Sequence, residues 1–179
     1  MAEDINRRVV LVERPTGSPE VSNFRIEEEP LVELEEGQVR VDVTHLSMDA
    51  FIRTAREEVA YHTPNKIGGT ILVLGVGRVR ESRSDRFKTG DAVYGPLCAQ
   101  TVATVPDFVL QSIDEKRAPI TAYLGILGMT TGLTSYFGIR EVGQVKPGDT
   151  VVVSAAAGAV GSLAGQIARL EGGRVLFRS

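Results

Sequence analysis

The sequence predicts an α/β protein in two parts: a small barrel or folded sheet of short strands, then the opening strand–helix–strand of a parallel sheet. Three observations predict it. Short alternating runs with turn signals about every ten residues fill residues 1 to roughly 115. The character changes near Pro119, after which apolar residues recur at helical spacing. Residues 150–169 then read as a buried strand, a turn of small residues and a helix, in that order. The expected boundary divides residues 1–118 from residues 119–179.

In the first part, residues 8–13 form a first strand, closed by Arg14-Pro15-Thr16-Gly17, and residues 24–28 a second before Pro30. Glu35-Glu36-Gly37 is a turn. Residues 38–46 alternate most cleanly, with Val39, Val41 and Val43 on one face and Arg40, Asp42 and Thr44 on the other. Asp49 stands where it would cap a short helix carrying Phe51, Ile52, Ala55 and Val59, broken by Pro64. Residues 75–82 form a strand whose glycines signal close backbone approach. Residues 87–95 are a turn leading into a strand, and residues 101–105 and 108–110 are short β runs split by Pro106-Asp107.

In the second part, residues 122–127 and 130–137 are expected helices, the latter opened by Thr130 or Thr131 and closed by Gly138. Residues 144–149 deliver the chain to the central strand. Val151, Val152 and Val153 are β-branched and apolar throughout, as in a parallel strand covered on both faces. Small residues run from Ser154 to Ala159, and Leu163, Ile167 and Leu170 follow at helical spacing. A turn without bulky side chains lets phosphates approach the backbone, and the helix N-terminus behind it supplies free N–H groups and partial positive charge. In the Gly-x-Gly-x-x-Gly pattern of dinucleotide sites, Ala156 takes the first glycine position, and Gly158 and Gly161 the other two. The competing reading of these residues is a strand–helix corner that needs small side chains only for packing. Gly172-Gly173 stops the helix and residues 174–177 begin one more strand.

A strand–helix–strand unit leaves a sheet edge and part of its faces open until more units join it. The expectation is therefore the front part of a longer protein, the alternative a partner that completes the sheet. The 179 residues carry a net charge of −3, so no basic face invites nucleic acid. Cys98 is the only cysteine, which excludes a disulfide framework within the chain and a cysteine-rich zinc site, and fits a reducing cytoplasmic location. Residues 1–6 do not read as a secretory leader, and no apolar run reaches membrane length.

Leu127-Gly128-Met129-Thr130-Thr131-Gly132-Leu133-Thr134-Ser135-Tyr136-Phe137-Gly138, followed by Gly143-Gln144-x-Lys146-Pro147-Gly148-Asp149 and residues 151–162, closely resembles the medium-chain dehydrogenase/reductases. The branch it is most similar to is the zinc-independent, NADP-dependent alkenal/one reductases, which include prostaglandin, leukotriene and curcumin reductases. Leu46-Ser47-Met48-Asp49-Ala50-Phe51-Ile52-Arg53 resembles that branch's Leu-Ser-x-Asp-Pro-Tyr-Met-Arg. Gly75-Val76-Gly77-x-Val79 and Phe87-Lys88-x-Gly90-Asp91-x-Val93 resemble its barrel motifs. The likeness runs from about Arg7 to Val175 and is specific when the motifs are taken together.

The resemblance implies a GroES-like β-barrel domain followed by the first β-α-β of an incomplete Rossmann domain. It implies NADP(H) as cofactor, held by Met129, Thr130 and Thr134 near the nicotinamide and by Ala156, Gly158, Ala159, Val160 and Gly161 under the pyrophosphate. It implies hydride addition to the β-carbon of an enone, with charge developing on the carbonyl oxygen. No metal is expected: Ser47, Met48 and Asp49 stand where zinc-dependent relatives need cysteine, and neither His45 nor His62 is followed by Glu. Phe51 replaces the tyrosine that serves as candidate proton donor in plant members, and so would shape an apolar substrate pocket. Tyr61 is the substitute donor, its competing reading being a packing residue. Arg178 would suit a 2′-phosphate, but NADP rests on the resemblance. The alternatives are a quinone-oxidoreductase-like reductase and a truncated, non-catalytic binding module. Partners are then a small-molecule enone or quinone and, in the full-length protein, a second copy joined through the C-terminal half of the Rossmann sheet.

Overall fold

The computed structural model describes residues 5–54 and 64–178. The chain divides into two compact units, Met1–Ile120 and Thr121–Ser179.

The first unit is built on antiparallel strands. β1 (Ile5–Leu11) pairs with β2 (Phe24–Pro30), in register from Ile5 opposite Pro30 to Leu11 opposite Phe24. Arg7 meets Glu28 at 3.2 Å, and Arg8 meets Glu27 and Glu29 at 3.1 Å each, across this hairpin. Such partly exposed pairs contribute little. Val10 and Leu11, neighbours on opposite faces of β1, are both 0% exposed. The main sheet holds β3 (Gln38–Leu46), β4 (Gly75–Ser82), β5 (Ala92–Gly95), β6 (Val102–Pro106) and β7 (Gln111–Ser112), in the order β6-β3-β4-β5-β7. Among the described residues the ladder does not close on itself, so the expected barrel or folded sheet is an open, folded sheet. Buried Asn6 ties the hairpin to it: Nδ2 donates to Gln100 Oε1 at 2.9 Å, and Oδ1 accepts the Val102 N–H at 3.1 Å.

β3 and β4 have the bounds the sequence suggests, and β4's glycines do mark close approach. A Cβ at Gly77 would stand 2.2 Å from the Asp42 carbonyl oxygen. The face assignment of β3 needs one correction. Arg40, placed on the polar face, is buried. Its guanidinium donates to the Val32 carbonyl and to Glu81, its partner across the ladder, beside a register shift between Arg40 and Val41. The core collects Val39, Val41, Val79, Phe87, Val93, Leu97, Ala103 and Leu110. A second cluster gathers Leu11, Ile52, Ile71 and Val73, with Phe51 and Leu46 against it. Ile52 comes from α1 (Phe51–Thr54), which opens with the Ile52 N–H on the Asp49 carbonyl at 3.1 Å. The remainder of the helix expected there, with Ala55 and Val59, lies outside the described residues. The expected β run at 108–110 is instead a 3-10 turn, Asp107–Val109. Pro106 donates no N–H, and Leu110 closes the turn onto the Asp107 carbonyl at 3.1 Å.

In the second unit, residues expected to form a helix at 122–127 make a 3-10 turn, Ile120–Leu124, and then irregular turns through Gly125 and Gly128. α2 (Thr131–Tyr136) does not stop at Gly138 but runs on as a π-helical turn, Phe137–Val142. One glycine in a helix costs only about 1 kcal/mol. The stop comes after Gly143, at Gln144, whose φ of +47° is left-handed. β8 (Thr150–Ser154), α3 (Ala159–Leu170) and β9 (Arg174–Arg178) follow, with β8 and β9 parallel, Thr150 opposite Arg174 and Ser154 opposite Arg178. β8 is not covered on both faces: Val153 is buried but Val152 is 63% exposed.

Leu97 is 0% exposed at the centre of the first core. Leu97→Ala is expected to cost about 2–5 kcal/mol, read from the urea midpoint of the first unit's unfolding. Cys98 is next to it, and burial pushes its thiol pKa up against a smaller opposing effect of the Val73 backbone. The folded state therefore favours the neutral thiol. Alkylation at pH 8 is expected at least about tenfold slower in native than in urea-unfolded chain. Because the folded value is the higher one, the thiol's contribution to stability is full below its unfolded pKa of about 8.5 and is lost as pH rises above it.

Candidate nucleotide-binding site

The site begins where β8 ends. Ala155 turns the chain with φ +47°, a left-handed conformation that costs a non-glycine residue roughly 1 kcal/mol. Gly158 caps α3 in an extended conformation, its N–H on the Ala155 carbonyl at 2.8 Å and its own carbonyl taking the Ser162 N–H at 2.9 Å. The first N–H groups of a helix have no partner within it, and point out of its N-terminus with partial positive charge. In α3 these belong to the small-residue segment that opens the helix.

What keeps this end open is position 161. A Cβ there would stand 2.4 Å from the Ala155 carbonyl oxygen and 3.0 Å from Ala156 Cα. At Gly158 it would stand 3.1 Å from the same oxygen. An open groove of about 400 Å³ runs beside the turn, with Ile139, Val153, Ala155, Gly158, Val160 and Gly161 among its walls.

Ala156, Gly158, Ala159, Val160 and Gly161 thus come together in the turn and first helical turn. Met129, 51% exposed, and half-buried Thr130 lie just before α2, and exposed Thr134 lies on it. α2 packs on α3 through Ser135, which is 1% exposed and within hydrogen-bond distance of the Thr131 carbonyl (2.8 Å) and the Val160 carbonyl (3.0 Å). Phe51 lies in the first unit, half-buried against the Leu11 cluster. Tyr61 and His62 lie outside the described residues. His45 is exposed on β3, its Nδ1 3.2 Å from Thr44 Oγ1. Among the described residues no three His, Cys, Asp or Glu side chains converge as metal ligands, and no helix is long and apolar enough to cross a membrane.

Three contributors escaped the sequence reading. The left-handed residue is Ala155, one before the position matched to the first glycine, and alanine gives no sign of positive φ. Ser135 looks like an ordinary helix residue. Gly165 does carry a signal, since it is four residues after Gly161 and so on the same helix face. It is Gly165 that meets a strand, with a Cβ there 2.7 Å from the Phe177 ring, whereas Gly161 meets the turn.

Antiparallel strands followed by a parallel strand–helix–strand with a turn of small residues make the architecture of the N-terminal half of a medium-chain dehydrogenase/reductase. Residues 7–113 match the family described as the N-terminal domain of oxidoreductase. The chain is 40% identical over 173 residues to the NADPH-dependent curcumin reductase of Escherichia coli, covering 96% of this chain and 50% of that protein. It is 37% identical over 179 residues to the NADP(+)-dependent 2-alkenal reductase of Nicotiana tabacum, covering 96% and 52%. It superposes on the crystal structure of CurA from Vibrio vulnificus in complex with NADPH with a TM-score of 0.84 at 31% identity, covering 96% of this chain and 51% of that one. The chain belongs to the medium-chain dehydrogenase/reductase family and spans about half the length of the curated relatives it matches.

The contacts at 161 and 165 separate two glycines with similar surroundings. At 161 the obstacle is a backbone carbonyl, so Gly161→Ala is expected to destabilise by about 1–3 kcal/mol despite better helix propensity. At 165 the obstacle is a ring that is 60% exposed and able to swing away. Gly165→Ala is expected to be neutral or stabilising by up to about 1 kcal/mol, the alanine gain. Urea denaturation of both variants checks the contrast.

Proposed function

We propose that residues 156–161 cradle the pyrophosphate of NADP(H), with Met129, Thr130 and Thr134 toward the nicotinamide, in a reductase that saturates the C=C bond of α,β-unsaturated ketones and aldehydes. The observation that supports this reading is the Gly161 contact, which holds the turn of small residues close against the start of the helix. The relatives supply the chemistry: two are named for reduction of curcumin and of 2-alkenals, and NADPH is bound in a third.

The turn fits a dinucleotide because its outward groups are donors. The N–H groups at the start of the twelve-residue α3 bind phosphate oxygens, and the helix dipole adds favourable charge. Thr130 and Thr134 offer hydroxyls at the other end and Met129 an apolar flank. Bound NADPH supplies a hydride to the β-carbon of the enone. The chain's part is to fix the cofactor's direction and keep the turn free of competing side chains. Phe51 gives the substrate an apolar contact and no proton. Charge on the carbonyl oxygen is met by hydrogen-bond donors rather than zinc, consistent with Ser47, Met48 and Asp49 at the positions where zinc relatives carry a cysteine.

Titration of NADPH fluorescence tests the cradle. The unsubstituted protein is expected to bind NADPH more tightly than NADH, and Gly161→Val to weaken NADPH binding at least about tenfold, or 1.4 kcal/mol. Equal NADPH affinity in the two proteins would remove the cradle assignment. For the reaction, deuterium-labelled NADPH is expected to leave its label on the β-carbon of a simple enone. Label on the carbonyl carbon would make the enzyme a carbonyl reductase instead.

A further inference from the structure

Resting on that reading of the cofactor site, we propose that Ser135 is a positioning residue that sets the nicotinamide end of the site against the pyrophosphate end. Its side chain is 1% exposed, yet it is a hydroxyl with one proton facing two acceptors. One is the Thr131 carbonyl, one turn back in α2, at 2.8 Å. The other is the Val160 carbonyl in the first turn of α3, at 3.0 Å, and this one belongs to the opposite helix. Val160 lies directly beside Gly161, and Thr134 directly before Ser135. The buried hydroxyl, its one proton shared between the two carbonyls, therefore joins the segment assigned to the nicotinamide with the segment assigned to the phosphates.

The placement has a consequence that packing alone does not. An apolar contact between two helices tolerates sliding, whereas a bond between a hydroxyl and one carbonyl fixes both separation and register. Removing the hydroxyl leaves each helix its own backbone bonds and each glycine its room. A ligand that touches only the turn should not sense the loss. A ligand that spans turn and α2 should.

The experiment compares NADPH with 2′-phospho-ADP-ribose, which keeps the phosphates and lacks the nicotinamide, on the full chain and on Ser135→Ala. NADPH affinity is expected to fall about five- to tenfold in the variant, with 2′-phospho-ADP-ribose affinity within about twofold of the original, and the emission of bound NADPH to move toward that of free cofactor. Ser135→Cys, close in size and a weaker donor, is expected to fall between. Equal weakening of both ligands would make Ser135 a support of the fold only, and no change in either would leave it without a role; each outcome overturns the proposal. If the unsubstituted protein binds neither ligand, the cofactor reading itself fails and this inference falls with it, a result distinct from the other two.

Discussion

The carbonyl of Ala155 leaves no room for a side chain at 161. That contact sets how closely the start of α3 packs on the turn that follows β8. Any Cβ would push the turn away from the helix, and the donors at the helix start would no longer line up beside the strand end. The left-handed Ala155 completes the constraint. It aims its carbonyl inward, onto the Gly158 N–H as well as toward Gly161, at an order-of-1 kcal/mol conformational cost. Strain at the turn and space at the helix are thus two sides of one geometry.

The same economy recurs at the strand entrances. Lys88-Thr89-Gly90-Asp91 leads into β5 and Lys146-Pro147-Gly148-Asp149 into β8. In both, the lysine N–H donates to the aspartate Oδ2, at 2.7 and 2.8 Å, and the aspartate N–H returns to the lysine carbonyl at 3.1 Å. In both, glycine takes a φ near +92°, at +93° and +92°, as the third residue of a type II turn demands. The two units share no fold, so the recurrence reflects one local solution to one problem: a sharp turn that starts a strand on time.

Local rules of this kind were what the sequence made legible. The bounds of β3 and β4, the parallel β8–α3–β9 order and the assembly of residues 156–161 all follow from periodicity and glycine placement. What escaped had non-local causes. Arg40 is buried because a carbonyl eight residues away, at Val32, and Glu81 on the next strand both receive it. Gly138 fails to end its helix because a single glycine is a weak stop, and the following Gly143-Gln144 does the work. Ser135 matters through a helix twenty-five residues on, which no window around it contains. At the candidate site, the run of small residues was legible and the contact at Gly161 was not.

The two units also differ in how they are held. The first closes a core of valines, leucines and Phe87 between sheet and loops, with Val39, Val41, Val93 and Leu97 at 0% exposure. In the second, among the described residues, only Ile139, Val153 and Ala168 are buried hydrophobics, while Val142 is 83% and Val152 63% exposed. Directed contacts are found there: the Ala155–Gly158 bond, the Ser135 hydroxyl and the Arg140–Glu171 ion pair at 3.0 Å. The ion pair is partly exposed and contributes little by itself. The buried Ser135 hydroxyl is the one of these contacts that faces carbonyls of both α2 and α3. The geometry of the candidate site therefore depends in part on a few named bonds, and loss of the Ser135 hydroxyl should be felt in ligand binding before it is felt in the fold.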